Sequence, residues 1–251
     1  MIAMLFAGSD VWLLDHRLPM DRIPMAIVIT GLFGVAGYLS RGVSKSGAVV
    51  GALLAFTLYL SGGPPAFVTL LGVFVLTWVV TRIGYMRKAG MGLAENKQGR
   101  DARQVFANVG AAAGFALAGI FLPALQIAAA ASLAEAAADT ASSECGEALG
   151  RRAYLITTMQ RVDVGVDGGI SLPGTLAGLI AAFLIAAVAA SSNWIPARCV
   201  PLVGIAGFLG TLIDSLLGAT LERRGSIGNN AVNFASTIAA GLLALLLVHF
   251  H

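Results

Sequence analysis

Long apolar stretches alternate with short polar or glycine-rich connections along most of the chain. Eight of these stretches come close to the roughly 20 apolar residues that a membrane-spanning helix needs. They cover residues 23–40, 46–61, 65–82, 104–122, 124–142, 174–192, 200–221 and 230–249. The pattern predicts an all-α, polytopic membrane helix bundle with about eight transmembrane helices, forming a single integral membrane domain over residues 1–251.

Composition supports this interpretation, because charged residues make up only 12% of the chain and mean hydropathy is +0.84. A soluble domain carries about 25% charged residues. Small residues recur four apart, as in 47–51, 110–114 and 174–178, and this spacing lets membrane helices approach closely. Residues 1–15 lack the basic segment and cleavage site of a signal peptide, and we interpret them as an interfacial helix.

Basic residues are distributed unevenly between the two sides of the predicted bundle. The connections 41–45, 82–103, 143–173 and 222–229 hold thirteen Lys and Arg residues. The opposite side holds Arg17, Arg22 and Arg198. Because cytoplasmic loops are enriched in Lys and Arg, the long loops are predicted to be cytoplasmic and both termini to lie outside.

Most acidic residues lie on, or open toward, the same side as the basic ones. A pore would need polar groups at several depths across the bilayer. The one-sided distribution therefore favours a site at the cytoplasmic mouth of a helix bundle.

An internal repeat relates two parts of the chain. The segment "SKSGAVVGALLAF" (44–56) matches "SLPGTLAGLIAAF" (171–183) with a constant offset, and Asn108 and Asn233 occupy comparable positions. The match predicts two parallel halves, 23–122 and 124–250, related by an axis along the membrane normal. The Ser44–Gly47 loop would then face the second copy across a shared pocket. Coincidence between two Gly/Ala-rich helices is the alternative.

Carboxylates cluster in "AEAAADTASSECGEALGRR" (134–152). Glu135 and Asp139 are four residues apart and share one helix face, with Glu144 further along the helix. Carboxylates and hydroxyls without His or Cys suit a hard cation such as Mg²⁺. The three histidines lie near the chain ends, which makes a zinc site improbable. An interhelical polar contact is the alternative interpretation of the carboxylates.

A glycine-rich loop, "GVDGGISLPGT" (165–175), precedes the sixth predicted span. Successive glycines let backbone N–H groups converge on an anion, and a helix N-terminus attracts phosphate. Ser171 is a predicted N-cap, and Asp167 would repel phosphate unless it bound a metal. The loop has no Walker A lysine, and a plain turn is the alternative.

Three further segments supply polar groups near the same side. Asp214 and Ser215 interrupt an apolar helix, where an unpaired carboxylate is costly. The second segment, "ENKQGRDARQVFANVG" (95–110), carries basic residues in its first half and amide side chains further on. The third, "GNNAVNF" (228–234), is rich in asparagine. Basic groups would neutralise phosphates, although membrane anchoring would also explain them.

Together these groups favour phosphoryl transfer to a lipid substrate, which depends mainly on positioning and charge neutralisation. A phosphate monoester acceptor is already ionised at neutral pH. Such a reaction therefore needs no strong general base.

The motifs "RQVFANVG", "ADTASSECG", "DGGISLPGTLAG", "IDSLLGAT" and "NNAVNF" together resemble the domain-of-unknown-function-92 family. The resemblance covers roughly residues 25–250, and that family includes transmembrane protein 19 and plant phytyl-phosphate kinase. It implies transfer of a phosphoryl group to an isoprenyl monophosphate. Residues 138–152 and 167–175 are also similar in order to segments of phytol and dolichol kinases, which implies CTP as donor.

The leading hypothesis is therefore a membrane isoprenyl-phosphate kinase. Its expected partners are a nucleoside triphosphate, an isoprenyl phosphate such as phytyl or geranylgeranyl phosphate, and membrane lipids. No nucleic-acid partner is expected. A lipid cytidylyltransferase and a polyprenyl-phosphate transporter or flippase are the alternatives. The predicted catalytic residues are Asp139, Glu144, Asp214, Arg100 and Lys97, and the predicted Mg²⁺ ligands are Asp139, Glu144, Asp214 and Glu135. The predicted substrate and nucleotide contacts are Asp167, Gly168, Gly169, Ser171, Thr175, Ser44, Lys45, Arg103, Asn108, Ser215, Asn230 and Asn233.

Overall fold

The computed structural model describes residues 20–250, so the interfacial helix expected at 1–15 lies outside the described residues. The helices are α1 (Ile23–Leu39), α2 (Lys45–Arg82), α3 (Tyr85–Gly90), α4 (Ala102–Ala118), α5 (Leu125–Leu149), α6 (Leu172–Ser191), α7 (Val200–Leu217) and α8 (Asn229–His249). Short 3₁₀ turns, Met20–Arg22 and Ala197–Cys199, precede α1 and α7, and a π-helical turn, Gly218–Glu222, extends α7.

A small antiparallel sheet departs from the all-α prediction. It comprises β1 (Ala153–Leu155), β2 (Arg161–Val162) and β3 (Gly169–Ile170), in the order β2-β1-β3. Its strands have two or three residues each, so they are too short to show the alternation of apolar and polar residues that predicts a strand from sequence. The sheet gives the connection between α5 and α6 a defined course.

Helix α2 consists of two antiparallel legs, 45–62 and 64–82. Gly63 has a non-helical backbone (φ 71°, ψ −171°), and Pro64 and Pro65 follow it. A straight helix of this length would span about 57 Å. Instead, Trp78 Nε1 and Arg82 Nη2 donate to Ser40 O, just before the start of the first leg, at 3.2 and 3.0 Å. The two legs correspond to the separate spans predicted at 46–61 and 65–82.

Within residues 20–250, five stretches are long and apolar enough to cross a membrane. They are Met20–Leu39, Lys45–Arg82, Leu172–Ser191, Ala197–Glu222 and Asn229–His249. Together with the helical bundle, they identify a helical membrane protein. Helix α4 is shorter, and α5 carries four carboxylates, so neither has the length and composition of these five. Eight membrane crossings and the sidedness of the bundle stay predictions.

Helix α5 forms the centre of the bundle and packs against α2, α4, α6, α7 and α8. Nineteen of its 25 residues are buried, and most of these are alanine. Neighbouring helices approach it through glycine: a Cβ on Gly174 would lie 2.5 Å from Ser142 O, and one on Gly207 would lie 2.9 Å from Ala134 Cβ. Small residues on both sides therefore bring the carboxylates of α5 close to α6 and α7.

The connections predicted on one side of the membrane do meet at one end of the bundle, here called the loop end. Ser44 N donates to Arg100 O at 2.9 Å, and Arg87 donates to the carbonyls of Ala148 and Gly150. A Cβ on Gly168 would lie within 2.5 Å of Ala219. The segments 40–44, 83–101, 150–171 and 218–228 thus form one layer.

The two copies of the predicted repeat begin with the same local structure. Ser44 Oγ accepts from Gly47 N at 3.2 Å, and Ser171 Oγ accepts from Gly174 N at 3.3 Å. Each serine is the N-cap of its helix. This agreement supports the repeat locally, while the relation between whole halves stays a prediction.

Gly174→Ala should destabilise the protein, because the added methyl group would meet a backbone carbonyl of α5. We expect the free energy of unfolding to fall by about 1–3 kcal/mol, the usual cost of overpacking. Thermal unfolding in detergent checks this. Gly114→Ala is the matched control, since a Cβ there meets nothing within 4 Å. Equal stability of the two variants would contradict the packing described for α5 and α6.

Candidate functional site

A polar cavity of about 380 Å³ opens at the loop end. Its walls come from α4, α5, α7 and α8 and from the segments 93–95 and 164–169. Eleven residues predicted from sequence line it: Arg100, Asn108, Asp139, Glu144, Asp167, Gly168, Gly169, Ser171, Asp214, Ser215 and Asn233. Motifs more than 100 residues apart thus share one cavity.

Seven predicted residues do not line this cavity: Ser44, Lys45, Lys97, Arg103, Thr175, Asn230 and Glu135. Lys45 and Arg103 are exposed, and Ser44 Oγ is within 3.1 Å of Ser46 Oγ while it caps α2. Thr175 lies in the first turn of α6, with its N–H bonded to Ser171 O. Ser44 thus belongs to a helix cap and Lys45 and Arg103 to the surface, whereas Glu135 is buried and Lys97 lines a second cavity described below.

The expectation that the two repeat loops face each other across one pocket is also wrong. Gly47 packs against the backbone of Arg100 and lines a different cavity from Ser171. The segment that contains Arg100 borders both cavities and separates the two loops.

The glycines of the 165–175 loop have a packing role that the sequence did not reveal. Gly168 has φ +72°, and a Cβ there would lie 2.4 Å from Ala219 Cβ. Gly169 N donates to Val166 O at 2.8 Å. Gly168 is thus required by its backbone conformation and by its close contact with the turn after α7.

Among the described residues, seven carboxylates line the polar cavity, including Asp139 on α5 and Asp214 on α7. The others are Glu95, Glu144, Glu147, Asp167 and Glu222. Asp214 Oδ2 accepts a hydrogen bond from Ser236 Oγ at 3.1 Å. Glu135 lies one helical turn deeper than Asp139 and is 1% exposed. A Cβ on Gly210 would lie 2.6 Å from Glu135 Cγ, so the glycine makes room for this side chain.

Two buried oxygens near these carboxylates, Glu135 Oε1 and Asn233 Oδ1, have no hydrogen-bond partner among the described residues. Buried polar atoms are normally paired. The donor set here consists only of oxygen atoms from carboxylates, hydroxyls and an amide, which is the chemistry that Mg²⁺ prefers. The residues present therefore fit a hard cation.

The four predicted Mg²⁺ ligands do not form one group, however. Across residues 20–250, no three Asp, Glu, His or Cys side chains converge into a ready metal site. Glu144 instead forms an ion pair with Lys88, which is fully buried. Because a buried ammonium group engages its carboxylate, we correct the role of Glu144 from metal ligand to counter-ion.

The Lys88–Glu144 pair anchors α3 to the end of α5. Lys88 Nζ also donates to Thr81 O at 2.9 Å, and Arg87 binds the last carbonyls of α5. Leu93 N donates to Lys88 O, so the cavity wall at 93–95 begins from this anchor. The sequence alone does not single out Lys88, because a basic residue beside a predicted span is typical of a membrane anchor.

Arg100 is the predicted cation that borders the polar cavity. Its Nη2 donates to Thr140 Oγ1 at 3.3 Å, and its Nε is 3.6 Å from Glu95 Oε2. Asp101 caps α4 by accepting from the N–H groups of Arg103 and Gln104. This capping box fixes the start of α4 and orients Arg100 toward α5.

A second, largely apolar cavity of about 510 Å³ adjoins the first. It lies between α1, the two legs of α2 and α4, with side chains such as Phe33, Val73 and Phe74. Lys97, Arg41 and Arg82 lie at its loop end. The two cavities have four lining residues in common: Glu95, Arg100, Gln104 and Asn108.

The fold and these cavities define a helical integral membrane protein with a polar site at one end. The family model described as integral membrane protein DUF92 matches residues 28–241, so the chain belongs to that family.

Three curated relatives illustrate its range. An uncharacterized membrane protein, MJ0933 of Methanocaldococcus jannaschii, is 33% identical over 90% of this chain and 94% of its own length. The chloroplastic protein VTE6 of Arabidopsis thaliana is 30% identical over 84% of this chain and 67% of its own. Protein PGR of the same plant is 28% identical over 85% of this chain and 84% of its own length. No solved structure matches the chain.

Breaking the Lys88–Glu144 pair on one side should be more harmful than removing both charges. Lys88→Met leaves a buried carboxylate without its counter-ion, at a cost of about 3–5 kcal/mol. The double variant Lys88→Met/Glu144→Gln should recover part of that loss. Thermal unfolding of both single variants and the double variant gives the coupling energy, and exposed Lys97→Met is the control. Additive losses would contradict a direct pair.

Glu147 should make stability depend on pH. It lies beyond the predicted span 124–142, and burial, with the charge of Glu144, raises its pKa from 4.5 to about 7. The folded state therefore binds this proton more tightly than the unfolded state does. The stabilisation that protonated Glu147 contributes to the folded state is fully present below about pH 4.5 and is lost as pH rises through about 7.

Glu147→Gln should accordingly flatten the decline in unfolding temperature between pH 5 and 8. Asp163→Asn, at an exposed position in the neighbouring connection, is the control. An unchanged slope in Glu147→Gln would show that another group titrates.

Proposed function

We propose that this protein is an isoprenyl-phosphate kinase. It transfers the terminal phosphoryl group of a nucleoside triphosphate, with CTP favoured, to an isoprenyl monophosphate such as phytyl or geranylgeranyl phosphate. The observation that carries the proposal is the junction of a polar cavity with an apolar one along Arg100, Gln104 and Asn108. An isoprenyl phosphate has the same division, with a charged head and a hydrocarbon tail.

The polar cavity suits the phosphates. Asp139 and Asp214 would hold Mg²⁺, and a bound magnesium ion would neutralise and orient phosphate oxygens. Two carboxylates together with substrate phosphates are a usual coordination for this ion. That explains why a complete ligand set need not be assembled by side chains alone.

Arg100 supports the reaction by its position. Its guanidinium group lies at the shared wall, where the head of a lipid in the apolar cavity would meet the donor phosphates. A fixed positive charge there would stabilise the charge that develops on transferring oxygens. Asn108 lies two turns further along the same wall and would orient the acceptor.

The transfer itself needs little acid–base chemistry. An oxygen of the lipid monophosphate forms a bond to the terminal phosphorus, and the bond from that phosphorus to the nucleoside diphosphate breaks. The acceptor oxygen is already ionised at neutral pH, so no proton has to be removed. The carboxylate, amide and hydroxyl lining of the cavity is consistent with this requirement.

Family membership and the relationship to VTE6 support the same proposal. The family resemblance drawn from the motifs implies prenyl-phosphate chemistry, and the matched region includes all of those motifs. We also propose that the loop end faces the cytoplasm, where nucleoside triphosphates are supplied, in agreement with its excess of basic residues.

Purified protein should convert geranylgeranyl or phytyl phosphate to the diphosphate in the presence of CTP and Mg²⁺, with release of CDP. Asp139→Asn, Asp214→Asn and Arg100→Gln should each lower kcat by about 10²–10³-fold. Arg103→Gln is the matched control, because Arg103 is exposed three residues away and does not line the polar cavity. Product analysis by mass spectrometry and nucleotide release provide the measurement.

Three outcomes would contradict the proposal. Pyrophosphate release with a CDP-lipid product would identify a cytidylyltransferase. Lipid flux in proteoliposomes without nucleotide would identify a flippase. Equal losses in Arg100→Gln and Arg103→Gln would show that the shared wall has no special role.

A further inference from the structure

The apolar cavity extends a measurable distance into the bundle. Its loop-end residues include Arg41, two residues after the end of α1, and Arg82 on α2. Its deepest residues on α1 and on the second leg of α2 are Phe33 and Leu70. At 1.5 Å per helical residue these separations correspond to about 12 and 18 Å. The cavity is therefore deep enough for a chain and not only for a head group.

Aromatic rings close the deep end of this cavity. Phe33 contacts Phe74 and Phe67 edge to face, with ring centroids 5.4 Å apart in each pair. Phe67 in turn contacts Tyr59, which is buried, at 6.0 Å. Phe33 lines the cavity at this end, while Phe67 and Tyr59 lie beneath it. Phe74 belongs to the side wall, because a Cβ on Gly42 near the loop end would lie 2.9 Å from its ring. We call Phe33, Phe67 and Tyr59 the aromatic floor.

A stiff floor matters because of the medium that surrounds the protein. A prenyl tail that enters the cavity leaves one hydrocarbon environment for another, so burial itself supplies little hydrophobic free energy. Packed interiors also deform little. Selection among tails must therefore come from steric fit: a chain that reaches the floor too early cannot place its phosphate beside Arg100.

We propose that the aromatic floor sets the length of the prenyl chain that this protein accepts, an inference that rests on the proposed function. With bonds of about 1.5 Å, one extended isoprene unit spans about 5 Å. A depth of about 12–18 Å accommodates about two to four units. The inferred substrate class is therefore monophosphates of geranyl to geranylgeranyl or phytyl length.

Gly51→Leu tests the inference by shortening the cavity. Gly51 lines the cavity on the first leg of α2, and a Cβ there would lie 3.7 Å from Val105 Cγ1, an ordinary contact. The added side chain would therefore occupy cavity space without displacing the backbone. Gly31→Leu is the matched control, since Gly31 is an exposed α1 residue with nothing within 4 Å of a Cβ.

The measurement is binding of geranyl, farnesyl and geranylgeranyl monophosphates to purified protein without nucleotide. Gly51→Leu should weaken the binding of geranylgeranyl monophosphate by about tenfold or more, which is the usual effect of a misfit in an apolar pocket. Binding of geranyl monophosphate should stay as in the wild type. Phe33→Leu should have the opposite effect and strengthen binding of the longer geranylfarnesyl monophosphate.

Equal weakening of all chains by Gly51→Leu, or the same change in Gly31→Leu, would overturn the inference. So would a Phe33→Leu protein with unchanged chain preference. If binding depends on chain length as expected but no phosphoryl transfer occurs when nucleotide is added, only the proposed function is contradicted. The two failures are distinguishable because binding is measured without nucleotide. Absence of binding for every chain would overturn both.

Discussion

The cost of ionised side chains in hydrocarbon determines how this bundle is arranged. Helix α5 carries Glu135 and Asp139 within the predicted span 124–142, and carboxylates there cannot face lipid cheaply. The helix must therefore be enclosed by protein, and five other helices pack around it. Alanine on α5 and glycine on its neighbours make that enclosure tight enough to exclude lipid. The central position of α5 is thus a consequence of its chemistry.

Enclosure also restricts where water and ligands can reach the carboxylates. The polar lining lies at the loop end, while buried groups of a different kind occupy the opposite end. There Gln126 Nε2 donates to Ser61 O and Ala116 O, and its Oε1 accepts from Trp194 Nε1. These hydrogen bonds pair the polar groups with one another, so few polar atoms are left to bind a ligand. The loop end, where Glu135 and Asn233 retain unpaired oxygens, is the end equipped to bind one.

Sequence patterns predicted much of this arrangement. Hydropathy located the apolar helices, including the two legs of α2, and the charge distribution predicted which connections would meet. The end of α5 is harder to predict, because charged residues usually mark the boundary of a membrane span, whereas α5 continues to Leu149. The Lys88–Glu144 pair joins residues 56 positions apart and has no local signature. The apolar cavity is equally invisible in the sequence, since its lining residues are ordinary membrane-helix residues until their spacing in three dimensions is known.

The reversal at Gly63 has a consequence for how such a protein can diversify. It places α1 and both legs of α2 in a peripheral layer, and α1 packs chiefly against α2. Residues of this layer form most of the apolar cavity, while the carboxylates belong to α5 and α7. Substitutions in the layer can therefore reshape the apolar cavity without disturbing the acidic centre. Under the proposed function, evolution could alter the lipid that a relative accepts while the acidic centre stays the same.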